Sequence, residues 1–189
     1  FSHAKQRTVD LSVFTLESYQ NIRKLSKTIK KMLLENPKKT GIQMFLAVMG
    51  FNVGGGGIDA DGGIPDLDLL ISIGHHRSIL THSVLPMIIL EGVFFSLIGL
   101  VNLVHNNLPS KHDPLWDDIK SNNESILESF YTGMSLGLAY HLGIDGTIQG
   151  GGSYNNLPFS IPNFGHRLIA GINSITEFID TSKSKILHR

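Results

Sequence analysis

The sequence predicts an all-α fold. Apolar residues recur at three- and four-residue steps over long stretches, whereas the alternation typical of strands is nearly absent. Segments rich in glycine and proline separate these stretches. The chain has 189 residues, of which 41% are hydrophobic and 17% charged, enough for one sizeable core. We therefore predict a single domain over residues 1–189. It would be a bundle of about five to seven helices with long glycine-rich loops.

The first two helices are predicted in the N-terminal third. Apolar residues at helical spacing run from Leu16 to Leu33, with lysines on the other face, and we expect Pro37 to end this helix. The segment Ile42 to Phe51 is typical of a short apolar helix. The run Gly54 to Gly57 must then be a loop, which continues as an acidic loop to about Asp68.

The third predicted helix raises the question of a membrane. We expect it to begin near His76 or Ser78 and to continue through the apolar run Val84 to Val104. That run is long enough to cross a bilayer, which takes about 20 residues. Glu91 sits near its middle, where a carboxylate is costly in lipid. A fully buried helix, a helix on the membrane surface and a membrane span therefore remain as alternatives.

Two further helices are predicted after a polar linker that covers residues 106–121. One helix spans residues 125–142 and the other residues 166–186, and a long loop with Gly150 to Gly152 separates them. The side chains predicted to face the core are Ile126, Leu127, Phe130, Met134, Leu138 and Leu142 in the first, and Leu168, Ile169, Ile172, Ile175 and Ile179 in the second.

Charge and cysteine content narrow the function classes. The chain has 16 lysine and arginine residues and 16 aspartate and glutamate residues, so no net positive charge indicates a nucleic acid as partner. The basic residues between Arg23 and Lys39 form either a solvated face or a surface that rests on anionic lipid. The absence of cysteine excludes disulfides and thiolate metal sites. No signal pattern opens the chain, and we expect a cytoplasmic or membrane-associated protein.

A cluster of potential metal ligands lies between residues 59 and 82, where four aspartates and three histidines fall within 24 positions. Hard oxygen and imidazole ligands without cysteine are what a hydrolytic divalent-metal site needs. In extended chain, Asp66 and Asp68 would share a face and could meet one cation; the alternative is a polar turn that ends in a helix cap. Asp59 and Asp61 are either solvated carboxylates or part of a calcium-like loop.

Three histidines surround an arginine in the second half of this cluster. If the segment is helical, His75 and His82 are seven residues apart and share a face. The planar guanidinium of Arg77 suits paired phosphoryl oxygens. The alternative interpretation makes His75 and His76 a surface loop and His82 a residue at a helix start.

A second pair of potential ligands stands at His141 and Asp145. Residues four apart on a helix project from the same face, so both can bind one metal, or the carboxylate can orient the imidazole. The alternative is a core histidine hydrogen-bonded to Asp145. No Gly-x-Ser-x-Gly surrounds Ser83, and no Gly-Lys-Ser or Gly-Lys-Thr follows the glycine run, so a serine nucleophile and a phosphate loop are disfavoured.

Taken together, these motifs resemble a known family. The runs 63–68 (GIPDLD), 76–78 (HRS), 81–83 (THS) and 140–147 (YHLGIDGT), followed by 157–159 (LPF), resemble the membrane-bound metal-dependent hydrolases, the LexA-binding, inner-membrane-associated hydrolase-like proteins. That family is in turn similar to zinc-dependent phospholipase C and P1-type nucleases, which are all-helical enzymes with clustered zinc ions.

The resemblance implies a set of site residues and a cofactor. The position matched by the first histidine of the pattern is His75 or His76. Arg77 would be a phosphate clamp, and Asp68 or a histidine would move protons. The cofactor would be one or two ions of zinc, or of manganese or magnesium. The implied metal ligands are Asp66, Asp68, His76, His82, His141 and Asp145, and the implied catalytic residues are Asp68, His76 and Arg77.

The function expected from residues and resemblance is metal-dependent hydrolysis of a phosphoester by metal-activated water. Phospholipid head groups and nucleotides are both candidate substrates, and the apolar run favours lipid. The competing class is a non-enzymatic membrane-associated or interaction protein, in which the polar cluster is a structural network or a vestigial metal site.

Overall fold

The fold is known from a computed structural model, which describes residues 23–24, 26–70, 77–147, 154 and 161–182. Contacts divide the chain into two compact units, Phe1–Ile42 and Gln43–Arg189. No strand occurs in the described residues, so the predicted all-α class is confirmed. The elements are α1, of which residues 23–24 and 26–35 are described, α2 (Pro37–Gly55), a 3-10 helix (Pro65–Leu70), α3 (Leu85–Asn106), α4 (Leu115–Thr147) and α5 (Asn163–Ser182).

Helix α2 is longer than predicted at both ends. Asn36 interrupts the helical backbone, and its side-chain oxygen accepts the Lys39 N–H at 3.1 Å, which caps the new helix. Pro37 therefore begins α2, a position where its missing N–H costs nothing. The prediction that Gly54 and Gly55 belong to a loop was wrong, because both are helical.

Close packing against α4 explains why glycines stand at this end of α2. A Cβ atom on Gly54 would collide with the backbone of Met134, and one on Gly55 with the backbone of Gly137. Gly137 makes the same type of approach to the backbone of Phe51. Small residues that let two helix backbones touch are frequent where helices associate in membranes.

The glycine-rich loop after α2 carries the first half of the ligand cluster. Four of its glycines adopt positive φ, between 75° and 96°, which side-chain-bearing residues rarely do. The Ile64 N–H then donates to the Val53 carbonyl at 2.9 Å and returns the chain to α2. Asp66 and Asp68 follow on the 3-10 helix, not on extended chain as predicted.

Helix α3 begins at Leu85, later than the predicted start near His76 or Ser78. Residues 77–84 form turns instead, because the Asp68 carboxylate accepts the Ser78 N–H at 2.8 Å and the Thr81 hydroxyl at 2.9 Å. The predicted helical face shared by His75 and His82 lies partly outside the described residues.

The surface of α3 is apolar. The helix is long and apolar enough to cross a membrane, with a mean hydropathy of 2.2 and only 6% of that window buried. Met87 is its buried residue, so the alternative of a fully buried core helix was wrong. Glu91 lines a cavity of about 240 Å³ together with Tyr131 of α4 and Asp180 of α5. The carboxylate in the apolar run is thus directed at the protein.

Helix α4 is central to the second unit and begins earlier than predicted, inside the presumed linker. The Asp113 side chain accepts the Leu115 N–H at 2.9 Å and fixes this start. Ile126 was predicted to face the core but is exposed. The inward predictions for Met134, Leu138 and Leu142 are confirmed, because these residues form the core cluster with Ile64 and Met87, and Phe130 packs against it. Leu127 is half-buried and lines the cavity beside Glu91.

Helix α5 presents the opposite face from the one predicted. Its apolar stripe was predicted to face the core, yet Leu168, Ile172, Ile175 and Ile179 are exposed. Its buried side chains are His166, Ala170, Glu177 and Thr181.

Hydrogen bonds explain this orientation of α5. Ser135 of α4 donates to the Glu177 carboxylate, and Ser174 donates to the Ala139 carbonyl at 2.6 Å. The interface of α4 and α5 is therefore made of small and polar residues, and the apolar side faces outward. The helical period predicted a two-faced helix but could not tell which face packs.

Candidate metal centre

The two predicted ligand segments meet. The donor atoms of Asp66, His82 and His141 all lie within 4.8 Å of one another. The His82 and His141 rings meet edge to face with centroids 5.6 Å apart. One segment is the 3-10 helix with the turns that follow, and the other is the end of α4. The prediction that distant stretches bring carboxylate and imidazole side chains together is therefore confirmed as geometry.

Asp145 lies next to the two histidines of this group, on the turn of α4 after His141. Its Oδ2 lies 3.6 Å from Nε2 of His141 and 3.8 Å from Nε2 of His82. Asp66 Oδ1 lies 3.9 Å from the same His82 nitrogen. These separations are longer than hydrogen bonds. They are closer to the ~3.3 Å that separates two ligands of a tetrahedral ion with bonds of about 2.0–2.1 Å.

The ring of His141 is oriented by α2. Its Nδ1 lies 3.3 Å from the Gly55 carbonyl oxygen, which can only accept, so Nδ1 carries the proton. The Nε2 lone pair then faces Asp145. Metal-binding histidines usually donate their other N–H to a carbonyl or carboxylate in this way.

The ring of His82 is held from three sides. Its Nδ1 lies 3.1 Å from the Thr81 hydroxyl and 3.5 Å from Oδ2 of Asp68. Its main-chain carbonyl accepts the phenol O–H of Tyr154 at 2.9 Å. Nε2 therefore points to Asp66 and Asp145, while Asp68 lies on the opposite edge of the ring.

The two aspartates of the 3-10 helix thus differ in surroundings. Asp66 is fixed by the Gly62 N–H, which donates to its Oδ2 at 2.6 Å, and its Oδ1 faces the histidines. Asp68 is deeply buried, and the hydrogen bonds from Ser78 and Thr81 engage its Oδ2. The chemistry of these contacts suits Asp66 as a ligand and Asp68 as a residue that orients His82.

Arg77 joins the group as its cation. Its Nη2 lies 3.2 Å from Oδ1 of Asp145, and both side chains are largely buried. The Arg77 backbone has φ of 66°, the left-handed region that side-chain-bearing residues rarely adopt. Strained backbone of this kind concentrates at functional sites.

Three residues that the sequence reasoning missed line a small cavity beside the ligands. Tyr154, His166 and Arg167 surround it together with Arg77, His82, Asp145 and Ala170. The Tyr154 N–H donates to Nδ1 of His166 at 3.0 Å, so the neutral His166 ring keeps its proton on Nε2. Burial raises the pKa of the Tyr154 phenol to about 12, and the charge of Asp145 adds to this shift. The available signal was the His-Arg dipeptide at 166–167, which repeats that at 76–77.

Other predicted residues lie elsewhere. Asp59 and Asp61 are exposed on the loop and do not belong to the described donor group, which fits their interpretation as solvated carboxylates. His75 and His76 lie outside the described residues, so the roles predicted for His76 as ligand and catalytic residue stay predictions.

Comparison of the chain with protein-family models, with curated proteins and with solved structures found no match. The resemblance to the membrane-bound metal-dependent hydrolases thus depends on the sequence motifs and stays a prediction.

Proposed function

We propose that the chain is a metal-dependent phosphoester hydrolase. The observation that carries the proposal is the convergence of Asp66 and His82 with His141 and Asp145, which lie more than 50 residues away in the sequence. The nitrogen–oxygen separations across this group are 3.6–3.9 Å, which leaves room for an ion between the donors.

The donor set also fits the chemistry of the cation. Two imidazole nitrogens and a carboxylate are typical ligands of a catalytic zinc ion, which keeps a further position open for water, and manganese accepts the same donors. Asp66, His82 and His141 would hold the ion with Asp145 next to both histidines, and Gly55 and Asp68 would orient the two rings. When bound, such an ion polarises a phosphoryl oxygen and lowers the pKa of its water toward about 7.

The residues around the ligands suit an anionic substrate. Arg77 and Arg167 both line the small cavity, and two guanidinium groups can neutralise charge that develops on phosphoryl oxygens. His166 carries an Nε2 proton in its neutral form and can donate it to a leaving-group oxygen. Asp68, which the sequence suggested as a proton carrier, is better suited to hold His82.

The metal and the activity can be tested together. We expect purified protein to contain zinc or manganese and to hydrolyse bis-p-nitrophenyl phosphate, whereas His141→Ala and Asp66→Asn lose the hydrolysis and about one ion per chain. Asp118→Asn, an exposed aspartate on the first turn of α4, is the matched control and should retain both. Unchanged metal content in the two site variants would refute the proposal.

We infer further that the protein works at a membrane and that its substrate is a lipid phosphoester. The apolar face of α3 and the outward apolar stripe of α5 offer acyl chains a surface, while polar and small residues make the contact between α4 and α5. This arrangement is typical of proteins whose helices contact lipid. A phosphoester anchored in the same bilayer would reach the site without leaving the bilayer.

Vesicle flotation tests the membrane inference. We expect wild-type protein to float with phospholipid vesicles and Ile89→Glu, on the exposed face of α3, to float less. Ser121→Glu adds the same charge to the exposed start of α4 and should behave as wild type. If wild-type protein stays monodisperse without detergent and does not float, the inference of a lipid substrate is wrong, whereas the hydrolase proposal is unaffected.

A further inference from the structure

A second cluster of ligand atoms lies where α3 passes into α4. His105 is in the last turn of α3, His112 is in the connection, and Asp117 is in the first turn of α4. The donor atoms of these three residues all lie within 4.8 Å of one another. The sequence predicted a polar linker in this region and did not indicate any of the three residues as a ligand.

Both histidines lie at hydrogen-bond distance from one carboxylate oxygen. Nε2 of His105 lies 2.7 Å and Nε2 of His112 lies 3.2 Å from the same oxygen, Oδ1 of Asp117. The two imidazole rings meet nearly at right angles, with centroids 5.4 Å apart. Two ligands of a tetrahedral ion with bonds of about 2.0–2.1 Å are separated by about 3.3 Å. A shift of about half an ångström at His105 would therefore seat a cation.

The orientation of His112 requires a proton or a cation between its Nε2 and the Asp117 carboxylate. Its Nδ1 lies 3.0 Å from the Pro109 carbonyl oxygen, so Nδ1 carries a proton. The Nε2 lone pair of the neutral ring would then face the Asp117 carboxylate, which is repulsive. Either a second proton or a metal ion must lie between them. The Pro109 contact is also the type of hydrogen bond that fixes metal-binding histidines.

We propose that His105, His112 and Asp117 form a divalent-cation site of the zinc class, with water as the remaining ligand. The side chains are 16%, 21% and 61% exposed, so ions in solution can reach them. A bound cation would fasten the start of α4 to the end of α3. The site is separate from the candidate metal centre, because 24 residues of α4 divide Asp117 from His141, which is about 36 Å along the helix.

The chain offers a local probe of this site. Trp116 is its only tryptophan and is the neighbour of Asp117 in the sequence. Co²⁺ takes zinc sites and quenches indole fluorescence at short range. In full-length protein stripped with a chelator, we expect Co²⁺ to quench Trp116 saturably and excess Zn²⁺ to restore the signal.

Neighbouring aspartates supply a matched pair of variants. Asp117→Asn should lose the saturable quenching, and His112→Gln should weaken the apparent affinity at least tenfold. Asp118→Asn changes the next residue and should retain the wild-type titration. Folded His141→Ala should retain it too, because His141 belongs to the other centre. An unsaturable titration in wild type, or the same titration in Asp117→Asn, would overturn the proposal and leave a proton as the occupant.

Discussion

Oδ2 of Asp68 lies 3.5 Å from Nδ1 of His82, and the same oxygen accepts hydrogen bonds from Ser78 and Thr81. One buried carboxylate thus fixes both the turn that carries His82 and the edge of its ring. The other ring nitrogen, Nε2, is thereby presented to Asp66 and Asp145. The local folding of residues 77–84 and the orientation of the proposed ligand have the same cause.

Asp68→Asn should weaken metal binding without removing a proposed ligand. The amide cannot supply the negative charge beside His82, and loss of such a partner typically costs 10–100-fold in metal affinity. Competition with a fluorescent chelator measures the change. Asp59→Asn, on the exposed part of the loop, is the control and should bind as wild type. Equal affinity in both variants would show that Asp68 does not orient the ring.

Arg77→Gln should reduce turnover while leaving the metal in place. The guanidinium contacts Asp145 and lines the cavity, so its loss removes charge neutralisation from the phosphoryl group. Loss of one stabilising donor typically lowers kcat by about 100-fold or more. Steady-state kinetics and metal analysis on the same preparation separate the two effects, with Lys111→Gln as an exposed control. A variant that loses its metal would instead make Arg77 a structural partner of Asp145.

Gly137→Ala should destabilise the protein by about 1–3 kcal/mol, the usual cost of overpacking. A methyl group there meets the Phe51 carbonyl and the Gly55 backbone nitrogen of α2, and neither can move freely. Gly171→Ala is the matched control, because a methyl group at that position in α5 meets nothing within 4 Å. Alanine favours helix over glycine by about 1 kcal/mol, so the control should gain stability in denaturant unfolding. The two variants should therefore shift the midpoint in opposite directions.

Tyr154→Phe should change how stability depends on pH in alkali. Burial raises the pKa of the folded phenol to about 12, whereas the unfolded chain ionises near its ordinary value of about 10. The folded state thus binds more protons between these values, and stability is lost as pH rises from about 10 to 12. The variant has no phenol to ionise. The variant loses the hydrogen bond to the His82 carbonyl, so its free energy of unfolding should be lower than that of wild type. This difference should shrink between about pH 10 and 12 in unfolding titrations.

The sequence was sufficient for the fold class and for the meeting of the two ligand segments. Spacing placed His141 and Asp145 on one helical face, and the structure has them there. It could not separate the roles of Asp66 and Asp68, because both have the same chemistry and differ only in which groups surround them. Those groups, Gly62 and Ser78, bind through backbone N–H groups that no side-chain pattern reveals.

The direction in which a two-faced helix packs was also beyond the sequence. The apolar stripe of α5 suggested a core face, on the assumption that water surrounds the bundle. The structure buries the face with Glu177 and Thr181 instead, since Ser135 of α4 hydrogen-bonds there. Likewise, the start of α3 depends on the Asp68 carboxylate, which acts from ten residues upstream of Ser78.

Gly55 links helix packing to the chemistry of the site. Its missing side chain lets α2 lie against Gly137, and its carbonyl oxygen accepts a hydrogen bond from the Nδ1–H of His141. A bulkier residue at that crossing would push the Gly55 carbonyl away from His141. The His141 ring would then be less electron-rich, although no proposed ligand has been replaced. Substitutions at Gly55 should therefore weaken ion binding at the proposed centre, and metal analysis of the purified variant measures that loss.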